Sequence, residues 1–200
     1  MKNSRLSILV FFVLLVVVSH AIAGTDKDDP VIQAFWKLMF EPSVENLHAA
    51  RNTLSQSPGF SPYSKDIYAM MVLNKTSGDP NKIINIYLNS LPNLVLSPSA
   101  HRIVGAAFAA IGEEKHADFE KKVNHILLNS LLSSGDGSML KPYAVMRIID
   151  EHDILEAIGK EKQEQELVRD KENNRVLDLL TCKDGSKVYF DISLFYGRSE

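Results

Sequence analysis

The chain has 200 residues, with 22 basic and 25 acidic side chains and a formal charge of −3. Because it contains no basic tract, its composition argues against nucleic acid and against an anionic lipid surface as partners. A single cysteine, Cys182, excludes an internal disulfide, so the burial of apolar side chains must stabilise the fold.

Residues 1–23 have the pattern of a secretion signal. A basic start precedes an apolar core of thirteen residues, 6–18, and small residues stand at Ala21 and Ala23, where a signal peptidase reads the chain. An uncleaved anchor is the alternative, but a membrane span needs about 20 apolar residues. We predict cleavage after Ala23, a periplasmic or secreted location and no membrane contact after cleavage. The mature chain would carry 20 basic and 25 acidic residues, a charge of −5.

Residues 24–134 are predicted to form a layer of antiparallel helical hairpins. Apolar side chains recur there three and four residues apart, as on one face of a helix. The third helix is expected to turn Ile67, Tyr68, Met71 and Leu73 inward, and Phe40 is expected to widen the apolar stripe of the first. Capping residues and a left-handed glycine mark the starts of six helices, at Asp29-Pro30, Ser43, Ser64, Asp79-Pro80, Ser97-Pro98 and after Gly112.

Residues 135–200 are predicted to form a strand, a short helix and then a hairpin. An apolar strand is expected from Tyr143 to Ile149, followed by a helix that Asp150 caps and Gly159 ends. The polar stretch after it is typical of a sheet edge, and Asp184-Gly185 is the strongest hairpin signal in the chain. The fold class is therefore predicted to be α+β, with N-terminal antiparallel helical hairpins followed by a small, mainly antiparallel β-sheet with one packed helix.

Several short motifs in the last 70 residues carry a resemblance to a known family. They are Leu-Leu-Ser-Ser-Gly-Asp-Gly-Ser at 131–138, Tyr-Ala-Val at 143–145, Asp-Glu-His-Asp-Ile-Leu at 150–155, Gln-Glu-Leu at 165–167 and Val-Tyr-Phe-Asp-Ile-Ser at 188–193. With these motifs the chain resembles the bacterial exported-protein family catalogued as domain of unknown function 4919. His152 is a departure, since an aromatic residue is expected there as often as not. The resemblance implies an envelope or secreted location and a helical half followed by a sheet, and it implies no reaction and no catalytic residue.

The cluster at residues 150–153 has two interpretations. In the first it is a metal or proton-transfer site, with His152 as the base and a carboxylate orienting it. In the second, Asp150 caps the helix and the acidic residues after it complement the helix dipole. The capping pattern favours the structural interpretation.

The loop Gly135-Asp136-Gly137-Ser138 is a second candidate site. Its glycines could let backbone amides approach an anion, or place Asp136 on a cation. A calcium loop needs further oxygen ligands, however, and Met139, Leu140 and Lys141 stand at their positions. A helix C-cap and linker, where a left-handed residue is needed, is the favoured alternative.

The remaining signals for chemistry are weak. The histidines form no His-Glu-x-x-His motif, and Cys182 lies in a predicted strand with no histidine near it in sequence, so we expect an inert sheet residue. No cofactor and no metal are predicted.

Three hypotheses for the function follow from these patterns. The first is a non-enzymatic exported module of the bacterial envelope that binds a peptide or protein on the concave side of its helix pairs. The second is a hydrolase-type enzyme in which Asp136, Asp150 and His152 meet at the junction of the two halves, within about 3 Å of one another or through one water. The third is an effector or toxin-neutralising partner, which needs a large exposed apolar patch.

Overall fold

The structure, a computed structural model, describes residues 29–197; the predicted signal at 1–23 lies outside the described residues. The predicted α+β class is confirmed, with seven helices and one four-stranded sheet in this part of the chain. None of these helices is long and apolar enough to cross a membrane. The elements are α1 Pro30–Phe40, α2 Val44–Gln56, α3 Lys65–Lys75, α4 Pro80–Asn89, α5 Pro98–Ala110, α6 Glu114–Ser133, β1 Tyr143–Ala144, α7 Ile148–Ala157, β2 Lys162–Asp170, β3 Arg175–Cys182 and β4 Lys187–Asp191.

Five of the six predicted helix starts are confirmed by side-chain caps, and the sixth follows a left-handed glycine. Asp29 accepts a hydrogen bond from the amide of Val31 at 2.7 Å, and Gly112 adopts the left-handed conformation at φ 81° between α5 and α6. Each cap satisfies an amide that has no partner inside its own helix. The other four caps are Ser43, Ser64, Asp79 and Ser97, each with a side-chain oxygen that accepts from the first turn.

Two predicted apolar faces are wrong in part. On α3 the buried residues are Ile67 and Met70, whereas Tyr68 is 46 % exposed. Phe40 at the end of α1 is likewise 53 % exposed. Helix α3 packs mainly against α4 and α5, so a narrow strip of side chains three residues apart is enough to cover its inner side.

The sheet has the strand order β1-β4-β3-β2. Strands β2, β3 and β4 pair antiparallel, while β1 pairs parallel with β4. The predicted hairpin at Asp184-Gly185 joins β3 to β4, with Gly185 left-handed at φ 80°. Strand β2 is the polar edge strand that its charge predicted.

The predicted strand from Tyr143 to Ile149 is wrong after Ala144, because α7 already begins at Ile148. Asp150 is correspondingly the third residue of α7 and not its N-cap. Its carboxylate accepts from the amides of Met146 at 2.9 Å and Arg147 at 3.1 Å, which removes both amides from strand pairing. A short, continuous apolar run suits a buried strand and a buried helix start equally, so periodicity could not separate them.

The glycine loop differs from its predicted role at Gly135. Helix α6 ends at Ser133 without a left-handed residue, and the left-handed glycine is Gly137 at φ 78°. Gly135 is required for another reason: a Cβ there would lie 2.4 Å from the carbonyl oxygen of Pro142. The loop closes on itself at this point, and only glycine leaves room for that approach.

The main apolar core includes side chains from both the helical layer and the sheet. Leu38 of α1, Leu54 of α2 and Leu127 of α6 belong to the same buried cluster as Leu180 and Phe190 of the sheet. A second cluster joins α3, α4 and α5 to Ile149 of α7. The helices therefore complete the core of the sheet.

Buried polar contacts tie residues 145–153 to the helical layer. Arg147, only 1 % exposed, donates through Nη2 to the carbonyl and to Oδ1 of Asn93, in the loop between α4 and α5. Arg51 of α2 donates to the carbonyl of Val145 at 2.6 Å. Removing one partner of such a contact would destabilise the fold, since a buried polar group left without a hydrogen bond costs about 1–3 kcal/mol.

Replacing Arg147 by alanine is expected to lower the free energy of unfolding by about 3 kcal/mol, because Asp150 and Asn93 would lose a buried partner. Urea denaturation measures this loss. The matched control is Arg169→Ala, which removes an exposed guanidinium that lies 5.3 Å from the ring centre of Tyr196 and should cost no more than about 1 kcal/mol. Equal losses in the two variants would contradict the role of Arg147.

Gly135→Ala is expected to destabilise the protein by about 2 kcal/mol or more, because its Cβ would meet backbone atoms that cannot move aside. Gly59→Ala is the control, since a Cβ there has no atom within 4 Å. Thermal unfolding should show a lower midpoint for the first variant and little change for the second. A neutral Gly135→Ala would mean that the loop does not close as described.

Candidate functional site

A small pocket opens between α1, α4, α5 and α6. Its cavity volume is about 30 Å³, which is room for a group the size of one or two water molecules. Most of its wall is aromatic or aliphatic, and a histidine and a glutamate lie at its inner side. The lining residues are Phe35, Tyr87, Leu88, Leu91, Val95, His101, Phe108, His116, Phe119 and Glu120.

Stacked rings hold the aromatic wall in place. The ring of Phe35 lies parallel to that of His101, with centroids 6.2 Å apart, and Phe108 stacks on His116 at 5.0 Å. At the entrance, Phe119 contacts Trp36 with centroids 6.2 Å apart. Rings in contact with one another lose little freedom when a ligand binds, so the wall is preformed.

The exposed Phe40 continues this aromatic surface. Its ring centroid lies 5.9 Å from that of Trp36, which in turn contacts Phe119 at the pocket. An exposed aromatic side chain beside an apolar pocket is typical of a binding surface.

His101 and Glu120 form a buried pair at the base of the pocket. The ring nitrogen Nε2 of His101 lies 2.9 Å from the carbonyl oxygen of Val95 and must therefore carry a hydrogen. Nδ1 lies 2.5 Å from Oε2 of Glu120. One proton must lie between these two atoms, so the pair is neutral as a whole whichever partner holds it.

This geometry leaves His101 without a ring nitrogen for other chemistry. Both nitrogens already face acceptors inside the protein, and the side chain is only 1 % exposed. A general base needs a nitrogen that can take a proton from a substrate, and a metal ligand needs a free lone pair. The pair is therefore suited to holding α5, α6 and the Val95 loop together.

Tyr87 is a further polar side chain that lines the pocket, with His101 and Glu120. Its hydroxyl lies 3.3 Å from Nδ1 of His101. Burial, with a smaller contribution from the charge of Glu120, raises the pKa of Tyr87 well above its usual value. The phenol consequently keeps its proton and cannot act as a base.

Gly105 allows Glu120 to reach His101. A Cβ at Gly105 would lie 3.1 Å from the Cβ of Glu120, closer than most such contacts. The missing side chain lets α5 and α6 approach at this point, one helical turn after His101.

Sequence reasoning missed His101 and Glu120, although each left a signal. His101 lies in a helix that is mostly small and apolar. Glu120 stands three residues before Val123 and seven before Leu127, on the buried stripe of α6. The two residues pair only if particular turns of α5 and α6 face each other. The apolar spacing along each helix does not specify those turns.

The three residues proposed from the sequence lie in different surroundings. Asp136 is exposed, and its Oδ1 accepts from the amide of Ser138 at 2.9 Å. The side chain of Ser138 and then its amide lower the pKa of the Asp136 carboxyl. Asp150 is buried in the first turn of α7, where burial raises its pKa while Arg147 opposes that shift. Asp150 therefore has the structural role that the capping pattern favoured, as the third residue of the helix.

His152 lies on the exposed side of α7. It borders an open depression together with Lys160, Lys162 and Lys183. Partial desolvation, and then the charge of Lys162, lower the pKa of the imidazole. No hydrogen bond or ion pair joins His152 to Asp136 or Asp150, all three of which are described, so the structure does not bring the three residues together.

The structure also shows what residues 29–197 offer for a metal site or a reactive thiol. In residues 29–197 no group of three or more histidine, cysteine, aspartate or glutamate side chains could hold a metal ion. Cys182 is fully buried at the end of β3.

Comparison with known proteins gives no relative: no family model, no curated protein and no solved structure matches the chain. The fold and the pocket define this molecule as an α+β protein with an apolar pocket in its helical layer.

Glu120→Ala is expected to lower the free energy of unfolding by about 3 kcal/mol, because it leaves the buried Nδ1 of His101 without its partner. The control is Glu113→Ala, which breaks an exposed contact to His116 on the same helix and should cost at most about 0.5 kcal/mol. Chemical denaturation compares the two. Similar small losses would show that the buried pair does not hold α5 to α6.

Proposed function

We propose that this chain is an exported, non-enzymatic binding protein of the bacterial envelope whose pocket takes the end of one apolar side chain from a peptide or protein partner. The observation that carries the proposal is a preformed aromatic pocket whose polar groups are bonded to each other. A small cavity lined by aromatic and aliphatic side chains favours the terminal methyl groups of an apolar side chain over water.

The size and polarity of the pocket support an apolar anchor. Phe35, Phe108 and Phe119 form its wall, and the cavity of about 30 Å³ is too small for a whole cofactor. Burying the one or two methyl groups that fit there would contribute about 0.8 kcal/mol each. Most of the affinity for a peptide would therefore come from the surface around Trp36 and Phe40.

The surroundings of the ionisable residues favour binding over catalysis. His101 has both ring nitrogens engaged, and the Asp136, Asp150 and His152 of the hydrolase hypothesis share no contact. A catalytic base must be free to exchange its proton with a substrate. No second function is therefore proposed.

Export and family membership remain predictions from the sequence. The signal pattern at residues 1–23 supports export, and the motifs shared with domain of unknown function 4919 agree with an envelope location.

Ligand-observed NMR with the mature chain tests the proposal. We expect N-acetyl-leucinamide to show saturation transfer and to shift the ring signals of Phe108 and Phe119, because its terminal methyl groups would leave water for this pocket. N-acetyl-serinamide is the control probe and should give neither effect.

A pocket-filling variant makes the test specific. Leu88→Trp places a large ring at the pocket wall and should abolish the shifts, whereas Val72→Trp, at an exposed position on α3, should preserve them. Equal binding by both variants, or shifts confined to other surfaces, would sink the assignment of the pocket. A phage-displayed peptide library should then yield sequences with one apolar anchor that bind Val72→Trp and fail to bind Leu88→Trp.

A further inference from the structure

A polar cleft opens between the loop that precedes α3 and the end of α4. Its volume is about 440 Å³, within the range of about 300–1,000 Å³ that small-molecule sites occupy. Its polar lining consists of serine, asparagine and tyrosine side chains with one carboxylate, Asp66. The cleft shares only Leu91 with the aromatic pocket described above, so it is a separate site.

Asn93 places a fixed hydrogen-bond donor in this cleft. Its side chain is only 8 % exposed, and its Oδ1 accepts from the amide of Ser61 at 3.1 Å and from Nη2 of Arg147 at 2.8 Å. Because both partners are donors, the side-chain amide has one possible orientation, with Nδ2 directed away from them. Within residues 29–197 no acceptor bonds to Nδ2, and this atom is not enclosed. It therefore faces the cleft that Asn93 lines.

The contact with Arg147 strengthens this donor. Hydrogen bonds that follow one another polarise one another, so a guanidinium that donates to the oxygen of an amide makes the amide nitrogen a better donor. The same contacts leave the side chain of Asn93 little freedom to lose when a ligand binds. Nδ2 is thus preorganised to donate to an acceptor atom of a ligand.

Asp66 offers an acceptor in the same cleft. Its Oδ2 lies 2.8 Å from the hydroxyl of Ser90, whereas no donor among the described residues bonds to Oδ1. The ring of Tyr63, which also lines the cleft, adds a flat apolar surface. Phe195 holds that ring edge-on, with centroids 6.3 Å apart and an angle of 84° between the planes.

We propose that this cleft binds a neutral, hydroxyl-rich ligand, a sugar unit with adjacent hydroxyl groups. A hydroxyl both donates and accepts, so one hydroxyl donates to Oδ1 of Asp66 while its neighbour accepts from Nδ2 of Asn93. The C–H face of the sugar ring packs on Tyr63.

Other classes of ligand fit the cleft less well. The carboxylate of Asp66 repels an anion. The lining residues lie in helices and loops, with no strand edge in this part of the described chain for an extended peptide to pair with.

NMR titration of the isotope-labelled mature chain with methyl glucoside, methyl galactoside and methyl mannoside tests the proposal. We expect at least one of these sugars to shift the side-chain amide hydrogens of Asn93 saturably, while the ring signals of Phe108 and Phe119 stay in place. Tetrahydropyran, a ring of the same size without hydroxyl groups, should leave the Asn93 signals unchanged. N-acetylglycinamide and acetate represent a peptide and an anion, and a response to either of these alone would overturn the proposal.

Two isosteric variants make the test specific. Asn93→Asp keeps the oxygen that accepts from the two donors of the fold and replaces the Nδ2 donor by an acceptor. Asp66→Asn keeps the shape of the side chain and removes its charge. Each substitution should weaken sugar binding about tenfold or more, as measured on the side-chain amide of Asn89, which also lines the cleft.

The matched control is Asn85→Asp. It adds the same charge at an exposed position of α4 outside the cleft, and the variant should bind the sugar as the wild type does. No shift with any of the three sugars, or equal binding by the wild type and both cleft variants, would contradict the site.

Discussion

The hydrogen bonds between Arg147 and Asn93 are the contact on which the arrangement of the two halves depends. They bring the loop between α4 and α5 to the start of α7, and the ring of Phe60 lies 5.2 Å from the guanidinium carbon. Asp150 holds the amide of Arg147 at the same point. Nη2 of Arg147 makes both hydrogen bonds to Asn93, whereas Nε and Nη1 of the same guanidinium are buried without a hydrogen-bond partner among the described residues.

Helix α7 also contributes to the contact between the two halves, and three of its acidic side chains, Asp150, Glu151 and Asp153, are buried. Asp150 faces the amides that precede the helix, and Asp153 faces the start of α5. Burial disfavours the charged form of each carboxyl, and only local donors offset that cost. Part of the contact between α7 and the helical layer is consequently made by a buried carboxyl group, Asp153, in a protein whose main core is apolar.

The sequence predicted those features that depend on a few neighbouring residues. Caps such as Asp29 and the hairpin at Asp184-Gly185 act through backbone groups one to three residues away, so their patterns are sufficient. It failed at residues 143–149, where an apolar run is compatible with strand and helix alike. It also failed for the candidate site, because His101 and Glu120 are 19 residues apart and meet only when α5 and α6 pack together.

By itself the sequence determined the starts of the first six helices, the turn between β3 and β4, the polar edge strand and the α+β class, since each follows from local backbone chemistry and hydrophobic periodicity. Only the tertiary structure decided where the polar residues go. Whether Glu120, Arg147 or Glu151 lies in water or in the core depends on what a distant segment places opposite it. A buried charge is tolerated only beside a partner, and that partner is a property of the packing and not of the neighbouring sequence.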